Sequence, residues 1–285
     1  MFERLPHRFG DRGEIAAILA AHGGLEAGEE SGSTYRVAGR VMVRRGQGKV
    51  AFLVVEDRSG RIQVMAQEDV LGEEFAAVRD LRLGDIVGVE GEAIRTRRGE
   101  LSLRATSFVL LAPCQEPLPD KQKGLTDVEQ RYRQRYLDLL LDADVRDLFV
   151  RRARMITALR TFMDGEGFIE VETPVLQPLY GGANARPFVT HHNALGRDLY
   201  LRIATELYLK RLIVGGMEKV YEIGKDFRNE GLSFKHNPEF TMMESYEAYA
   251  DVDDVMAMVE RLIAAMCEAA TGSTTVEVRG QRVDV

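Results

Sequence analysis

Between Tyr35 and Leu111, short runs of apolar and polar positions alternate and are separated by turn residues. Tyr35–Val43 alternates with a period of two, the pattern of a half-buried strand. Val50–Val55 is a second apolar run, Arg58-Ser59-Gly60 reads as a turn, and Arg61–Ala66 returns as a third strand. The period then changes. Over Glu68–Leu81 the residues Leu71, Phe75, Val78 and Leu81 fall on one helical stripe. Asp85–Ile94 and Leu101–Leu111 are two more strands around the turn Arg97-Arg98-Gly99. Three strands, a helix and two strands is the element order of an OB barrel. Another small β-barrel would show the same pattern.

On either side the pattern differs. Glu14–Ala21 predicts two helical turns stopped at Gly23-Gly24, and Glu29–Thr34 is polar and small, as a linker would be. Pro113–Asp120 holds three prolines and predicts a second linker. Beyond it Asp127–Leu141 and Val145–Met163 are helical, the latter with Leu148, Ala153, Ile156, Leu159, Phe162 and Met163 as its apolar stripe and Gly165 and Gly167 at its end. Phe168–Val171 is a short strand that Pro174 keeps from running on as a central one. Strands follow near Phe188 and Leu199, then a helix over Glu206–Val214 and strands over Val220–Phe227 and Phe240–Tyr249. Val252–Ala270 is an amphipathic helix with Val255, Met256, Val259, Leu262, Ile263 and Met266 on one face. The Met242-Met243 and Met256–Met258 runs read as core packing. The fold class is therefore α+β: a β-barrel over 35–112 and an antiparallel-sheet domain over 125–285, with an extension at 1–34 and a linker at 113–124. The last residues, Arg282-Val-Asp-Val285, read as the inside of a strand, so the second domain is expected to be incomplete.

Composition narrows the classes. The chain has 285 residues, 45% hydrophobic and 29% charged, an ordinary globular balance that excludes collagenous or fully disordered protein. A net charge of −7 argues against a uniformly basic nucleic-acid coat. Residues 35–111 are the less acidic part, with thirteen Arg and Lys against eleven Asp and Glu in a chain that carries 38 against 45. No window supplies the roughly 20 apolar residues of a membrane span, and no secretory signal is evident. Cys114 and Cys267 stand far apart, which fits a reducing cytoplasm without a disulfide framework or a zinc site. His191 and His192 are adjacent, point oppositely on a strand and cannot chelate one ion, so no metal site is expected. Neither GxGxxG nor a P-loop occurs.

The densest chemistry runs from Asp226 to Glu244, read as strand, polar loop and strand. On a strand Arg228 and Glu230 would share a face, as would Phe240, Met242 and Glu244, and a hairpin would align both sets over one pocket. The same residues also suit a surface hairpin of solvated ion pairs.

Phe227-Arg-Asn-Glu230 followed by His236-Asn-Pro-Glu-Phe-Thr-Met-Met-Glu244 resembles motif 2 of the class II aminoacyl-tRNA synthetases in the lysine form. Gly165-Glu-Gly-Phe-Ile-Glu-Val-Glu-Thr-Pro174 resembles motif 1. Gly181-Gly-Ala-Asn-Ala-Arg-Pro-Phe188, Thr190-His-His-Asn-Ala-Leu195 and Leu201-Arg-Ile-Ala-Thr-Glu-Leu-Tyr-Leu-Lys-Arg-Leu212 are similar to the bacterial lysyl-tRNA synthetase family. So are Arg131–Leu139 and Val37-Ala-Gly-Arg40. The resemblance spans residues 35–285.

It implies a lysine–tRNA ligase that uses ATP to make lysyl-adenylate and passes the lysyl group to the 3′ end of tRNA(Lys). It also implies an OB-fold anticodon-binding domain, a cytoplasmic location and a homodimer formed through motif 1 near Pro174. Arg228 is implied to hold the ATP α-phosphate and the lysine carboxylate, as suits an always-charged forked donor that bridges two anions. Glu230 is implied to accept the adenine amino group, His236 and Asn237 to line the ATP site, and Phe240 to stack on adenine. Gly182 and Glu206 would receive the α-ammonium; Glu244 and Tyr246 would line the side-chain end. Arg44, Phe52, Gln63 and Glu100 match anticodon-reading positions, although Phe52 also reads as a core residue of the second strand. Motif 3, the acidic ligands for Mg2+ and one carboxylate that grips the ε-ammonium are absent, so a fragment is expected, with magnesium ligands in the part not present. The alternatives are a truncated, non-catalytic relative that binds tRNA or a partner, and an aspartate- or asparagine-specific relative. The Thr205–Lys210 and His236–Phe240 segments argue against the latter.

Overall fold

The structure is a computed structural model, and it describes residues 5–46, 48–119, 124–233 and 235–285. The chain forms two compact units, Met1–Asp127 and Val128–Val285.

In the first unit α1 (Ile15–His22) precedes a five-stranded closed barrel of order β1-β2-β3-β5-β4. Its strands are β1 (Glu30–Arg45), β2 (Val50–Glu56), β3 (Arg61–Gln67), β4 (Ile86–Arg95) and β5 (Leu101–Ala112). Residues 29–34, read above as linker, are largely strand: Glu30 pairs with Ile94 and Thr34 with Glu92, so the free edge of β4 orders a segment with little strand propensity of its own. The helix expected over 68–81 is split into α2 (Glu68–Leu71), a 3-10 turn at Gly72–Glu74 and α3 (Phe75–Asp80). Its stripe nevertheless holds, because Leu71, Phe75, Val78 and Leu81 all bury against the barrel. Alternation decides the rest. Ala51, Leu53 and Val55 of β2 point inward with Ile62, Val64 and Ala66 of β3, each fully buried aliphatic side chain contributing roughly 1.5–3 kcal/mol. The outer face is left to Phe52, Val54, Gln63 and Met65. Residues 113–119 carry no regular structure; the rest of the linker, 120–123, lies outside the described residues.

In the second unit α4 (Val128–Arg133) and α5 (Arg135–Leu141) replace the single helix expected there. Asp138 is buried at their junction and accepts from Arg131 at 2.7 Å and from Arg135. In α6 (Ala143–Gly165) the Asp142 side chain caps the backbone N–H groups of Asp144 and Val145. Then come β6 (Ile169–Glu170), β7 (Leu176–Gln177), β8 (Val189–His192) and β9 (Arg197–Leu201). After α7 (Glu206–Val214), β10 (Lys219–Phe227) and β11 (Glu239–Glu247) form a long antiparallel pair, with β6 parallel to β10. β7, β9 and β8 make a second sheet. The chain closes with α8 (Val252–Thr271) and the hairpin β12 (Thr275–Val278) and β13 (Gln281–Asp284).

One face of the β10–β11 pair packs on helices: Tyr221, Ile223 and Met243 meet Leu159 and Met163 of α6 and Met258 and Leu262 of α8. Two expected apolar faces are corrected here. Leu148 is exposed on α6, and on α8 it is Met258 and Leu262 that bury, while Val255, Met256, Val259 and Ile263 are exposed. An apolar stripe shows that a helix is amphipathic, not which part of the stripe its neighbours cover. No described helix is long and apolar enough to cross a membrane.

Candidate active site and nucleic-acid interface

The other face of β10–β11 carries the chemistry. Glu222 lies opposite Glu244, Gly224 opposite Met242, Asp226 opposite Phe240 and Val220 opposite Tyr246. Directly opposed residues share a face, so Phe240, Met242, Glu244 and Tyr246 stand with Glu222 and Asp226 above one surface. β10 ends at Phe227, which corrects the expectation that Arg228 and Glu230 alternate on a strand. Arg228 instead opens the loop, where its N–H donates to Pro238 O at 2.9 Å and its guanidinium lies 5.1 Å from the Phe240 ring centroid, a cation–π contact. Glu230 sits farther out. Its Oε1 accepts from Arg186 N at 3.4 Å, and Asn229 N donates to Arg186 O at 2.8 Å, so the 181–188 segment is stitched to the motif 2 loop. His236 is exposed, its Nδ1 2.7 Å from Ser233 Oγ; Asn237 is also exposed.

An acidic cluster forms beside these residues. Gly182 has φ +88°, and a Cβ there would stand 2.9 Å from Glu206 Cβ, so both backbone and space demand glycine. Glu206 opens α7, and Lys210 one turn on reaches its Oε1 at 2.6 Å and lies 5.8 Å from the Tyr246 ring centroid. Tyr246 Oη donates to Glu244 Oε2 at 3.3 Å. Burial, reinforced by the charges of Glu244 and Glu206, pushes the Tyr246 phenol well above its ordinary range. Gly182, Glu206, Glu244 and Tyr246 therefore cluster, and the half-exposed Lys210 ammonium pairs with Glu206 at their edge. The Thr205 hydroxyl beside Glu206 is buried without a hydrogen-bond partner.

Sequence reasoning missed the layer beneath. Arg202, Glu222 and Asp226 are 2%, 4% and 0% exposed. Arg202 Nη1 donates to Glu222 Oε1 at 2.5 Å and Nε to Lys225 O at 2.9 Å, while Thr173 Oγ1 donates to Glu222 Oε2 at 2.6 Å. The guanidinium points its Nη2 at Gly224, where any Cβ would overlap it. Arg202 Nε is also 3.3 Å from Asp226 Oδ1, yet neither Asp226 oxygen receives a hydrogen bond. Burial raises the Asp226 carboxyl to about 6, with Glu244 and Glu222 adding to the rise and Arg202 and Arg228 opposing it. The available signals were a lone arginine inside Leu201-Arg-Ile-Ala204 and a glycine inside a strand, the mark of a close approach. Pro174, the expected dimer contact, is exposed; its carbonyl accepts from Gln177 at 3.1 Å.

His191 pairs with Asp198 at 2.8 Å, and His192 Nδ1 accepts from Leu195 N at 3.2 Å. Among the described residues no three His, Cys, Asp or Glu side chains converge as a metal site would require.

On the barrel a groove of about 1050 Å³ runs over the outer face of β2 and β3. Phe52, Gln63 and Glu100 line it, so Phe52 is not a core residue. Gln63 Nε2 donates to Ser102 Oγ at 2.8 Å. Arg44 is not brought to this groove. It donates to Val78 O at 3.3 Å and Arg79 O at 2.8 Å, the C-terminal carbonyls of α3. Its neighbour Arg45, paired in register with Phe52, takes the place instead, together with Arg97 and Arg98 from the β4–β5 turn.

Comparison with known proteins places residues 127–283 with the class II tRNA synthetases (D, K and N) and residues 35–111 with the OB-fold nucleic acid binding domain. The chain is 54% identical over 258 residues to a lysine–tRNA ligase of Listeria monocytogenes, across 90% of this chain and 52% of that protein. It is 52% identical over 250 residues to a lysine–tRNA ligase of Bacillus cytotoxicus, across 87% of this chain and 50% of that protein. The chain thus spans about half the length of the curated relatives it matches.

Proposed function

The chain belongs to the class II tRNA synthetases of the D, K and N group, and on that premise we propose that it carries the amino-acid-activating face and the anticodon-reading barrel of a lysine–tRNA ligase. In the first step a lysine carboxylate oxygen attacks the α-phosphorus of ATP. A P–O bond forms, the bond to the β-phosphate breaks, and pyrophosphate leaves with its electron pair. Two anions must meet, so the barrier is largely charge repulsion and misorientation, and a fixed cation lowers both. Arg228 takes this role, reaching the α-phosphate and the carboxylate together. Phe240 stacks on the adenine, Glu230 accepts its amino group, and His236 and Asn237 flank the nucleotide. Gly182 and Glu206 hold the α-ammonium; Glu244 and Tyr246 line the side-chain end. In a second step the tRNA 3′-hydroxyl attacks the lysyl carbonyl and releases AMP. Among the described residues no cluster of acidic or histidine side chains fits a magnesium ion. Phe52, Gln63, Glu100 and Arg45 read anticodon bases by stacking and polar edges. The homodimer through motif 1 and the cytoplasmic location belong to the same proposal.

The observation that carries the reading is the acidic cluster of Glu206, Glu244 and Tyr246, where Glu206 already pairs with the half-exposed Lys210 ammonium and Tyr246 donates to Glu244. Two carboxylates suit a cationic substrate and repel an acidic one, which favours lysine over aspartate. Lysine-dependent ATP–pyrophosphate exchange by the 285-residue chain tests it. Exchange with lysine and not with aspartate or asparagine is expected; exchange driven by aspartate or asparagine overturns the lysine assignment, and no exchange by a folded sample favours a non-catalytic chain.

A further inference from the structure

Two buried groups on the site face lack hydrogen-bond partners, and they complement each other. Neither oxygen of the fully buried Asp226 accepts a hydrogen bond, and the buried Nε of Arg228 donates to nothing. They are close in the fold: Asp226 faces Phe240 across the strand pair, and the Arg228 guanidinium lies over that same ring. The charged groups that face Asp226 are Arg202 at the end of β9, Glu222 on β10, Glu244 on β11 and Arg228 itself. Arg202 pairs with Asp226 by charge at 3.3 Å but gives it no hydrogen bond: Nε gives its proton to Lys225 O, and Nη1 is spent on Glu222 and Thr173. A buried carboxylate between two arginines, with every acceptor site open, is set up to take an N–H.

We propose that Asp226 is a positioning residue for Arg228: its carboxylate takes the Nε–H, which aims the Nη–Nη edge of the guanidinium at the two anions of the adenylation step. This rests on Arg228 being the arginine of that step. A guanidinium held at one edge presents the other as a fixed fork, and a preorganised donor does not have to reorganise as charge shifts. The sequence singled out Arg228 and passed over Asp226, because a carboxylate two positions before a motif reads as a solvated charge until its burial is known.

The test is nitrogen-15 NMR of the 285-residue chain, with the Arg228 Nε–H resonance identified by its loss in Arg228→Lys. The expected result is that this resonance shifts with pH at the midpoint at which the Asp226 carboxyl carbon titrates, and that the shift is lost in Asp226→Asn. An Nε resonance indifferent to the Asp226 titration overturns the proposal. If Asp226→Asn does not fold, the shared midpoint in the unaltered chain decides alone. Lysine-dependent exchange on the same sample fails separately: no exchange with a shared midpoint rejects the proposed function, whereas exchange with a flat Nε resonance rejects the role of Asp226.

Discussion

The barrel and the β10–β11 face handle charge in opposite ways. On the barrel, charge stays mostly at the surface and is paired there: Arg104 lies between Glu30 and Glu92, Arg36 meets Glu90 at 3.3 Å, the buried Asp85 takes only backbone N–H groups of Arg82 and Cys114, and the closed core is aliphatic and aromatic. In the second unit, charge goes inside. Glu222 and Asp226 are buried on the strand that leads to Arg228, with Arg202 packed against them, and the apolar cluster is much smaller. A binding groove can therefore be varied on the barrel without touching what holds it together. On the sheet, the residues that organise the site are also residues that hold the fold, and substitutions there should lose both.

The largest break in this comparison is Arg202→Met. It strips the partner from buried Glu222 and Asp226, and removing one member of a buried pair costs about 3–5 kcal/mol. Urea unfolding should show that loss in the second unit with the barrel transition unchanged; a loss under about 1 kcal/mol would make the buried network incidental. Gly224→Ala acts by pushing the same guanidinium aside, and should be nearly as damaging by the same measurement.

A smaller effect separates two neighbouring arginines. Arg45→Gln should weaken tRNA binding across sequences and lower the salt slope of the affinity by about 1, with stability unchanged. Arg44→Gln should leave tRNA binding alone and cost roughly 0.3–1 kcal/mol through lost contacts at the α3 C-terminus. The reverse pattern in salt-dependent binding and thermal melts would show that Arg44 faces the RNA after all.

The smallest effect concerns pH. Asp226 has a carboxyl raised to about 6, so the folded state holds a proton that the unfolded state releases. The stability it contributes is fully present below the ordinary carboxylate value and is lost as pH rises through about 6. Asp226→Asn should then be more stable than the unaltered chain at pH 8, with the gap closing toward pH 4. A gap that widens on acidification would contradict the raised value.

Much of this was legible in the sequence, for identifiable reasons. Apolar runs set off by turn residues located β2 to β5 to within a residue or two, because strands and turns differ in composition as well as in pattern. α7 was read at its bounds and α8 to within a residue, α8 opening at Asp251, whose side chain makes a capping box with Asp254. The motif 2 hairpin was found through its resemblance. What failed was whatever depends on a partner distant in sequence. Glu30–Thr34 became strand because β4 offered an edge. Of the two readings open for Phe52, the pleat selects the outward one, and it turns Arg44 to the α3 carbonyls while Arg45 faces the groove, a choice of face that one strand alone does not reveal. Arg202 and Asp226 were invisible because burial of a charge is a property of the fold around it.

The central claim is that one chain carries two separable sites, and the direct measurement is paired: tRNA(Lys) binding and lysine-dependent exchange, both in Phe52→Ala and in Arg228→Ala. Phe52→Ala should lose roughly 1–3 kcal/mol of tRNA affinity and keep exchange, while Arg228→Ala should lose exchange by a factor of about 10²–10³ and keep tRNA binding. Loss of both activities in both folded variants would contradict it.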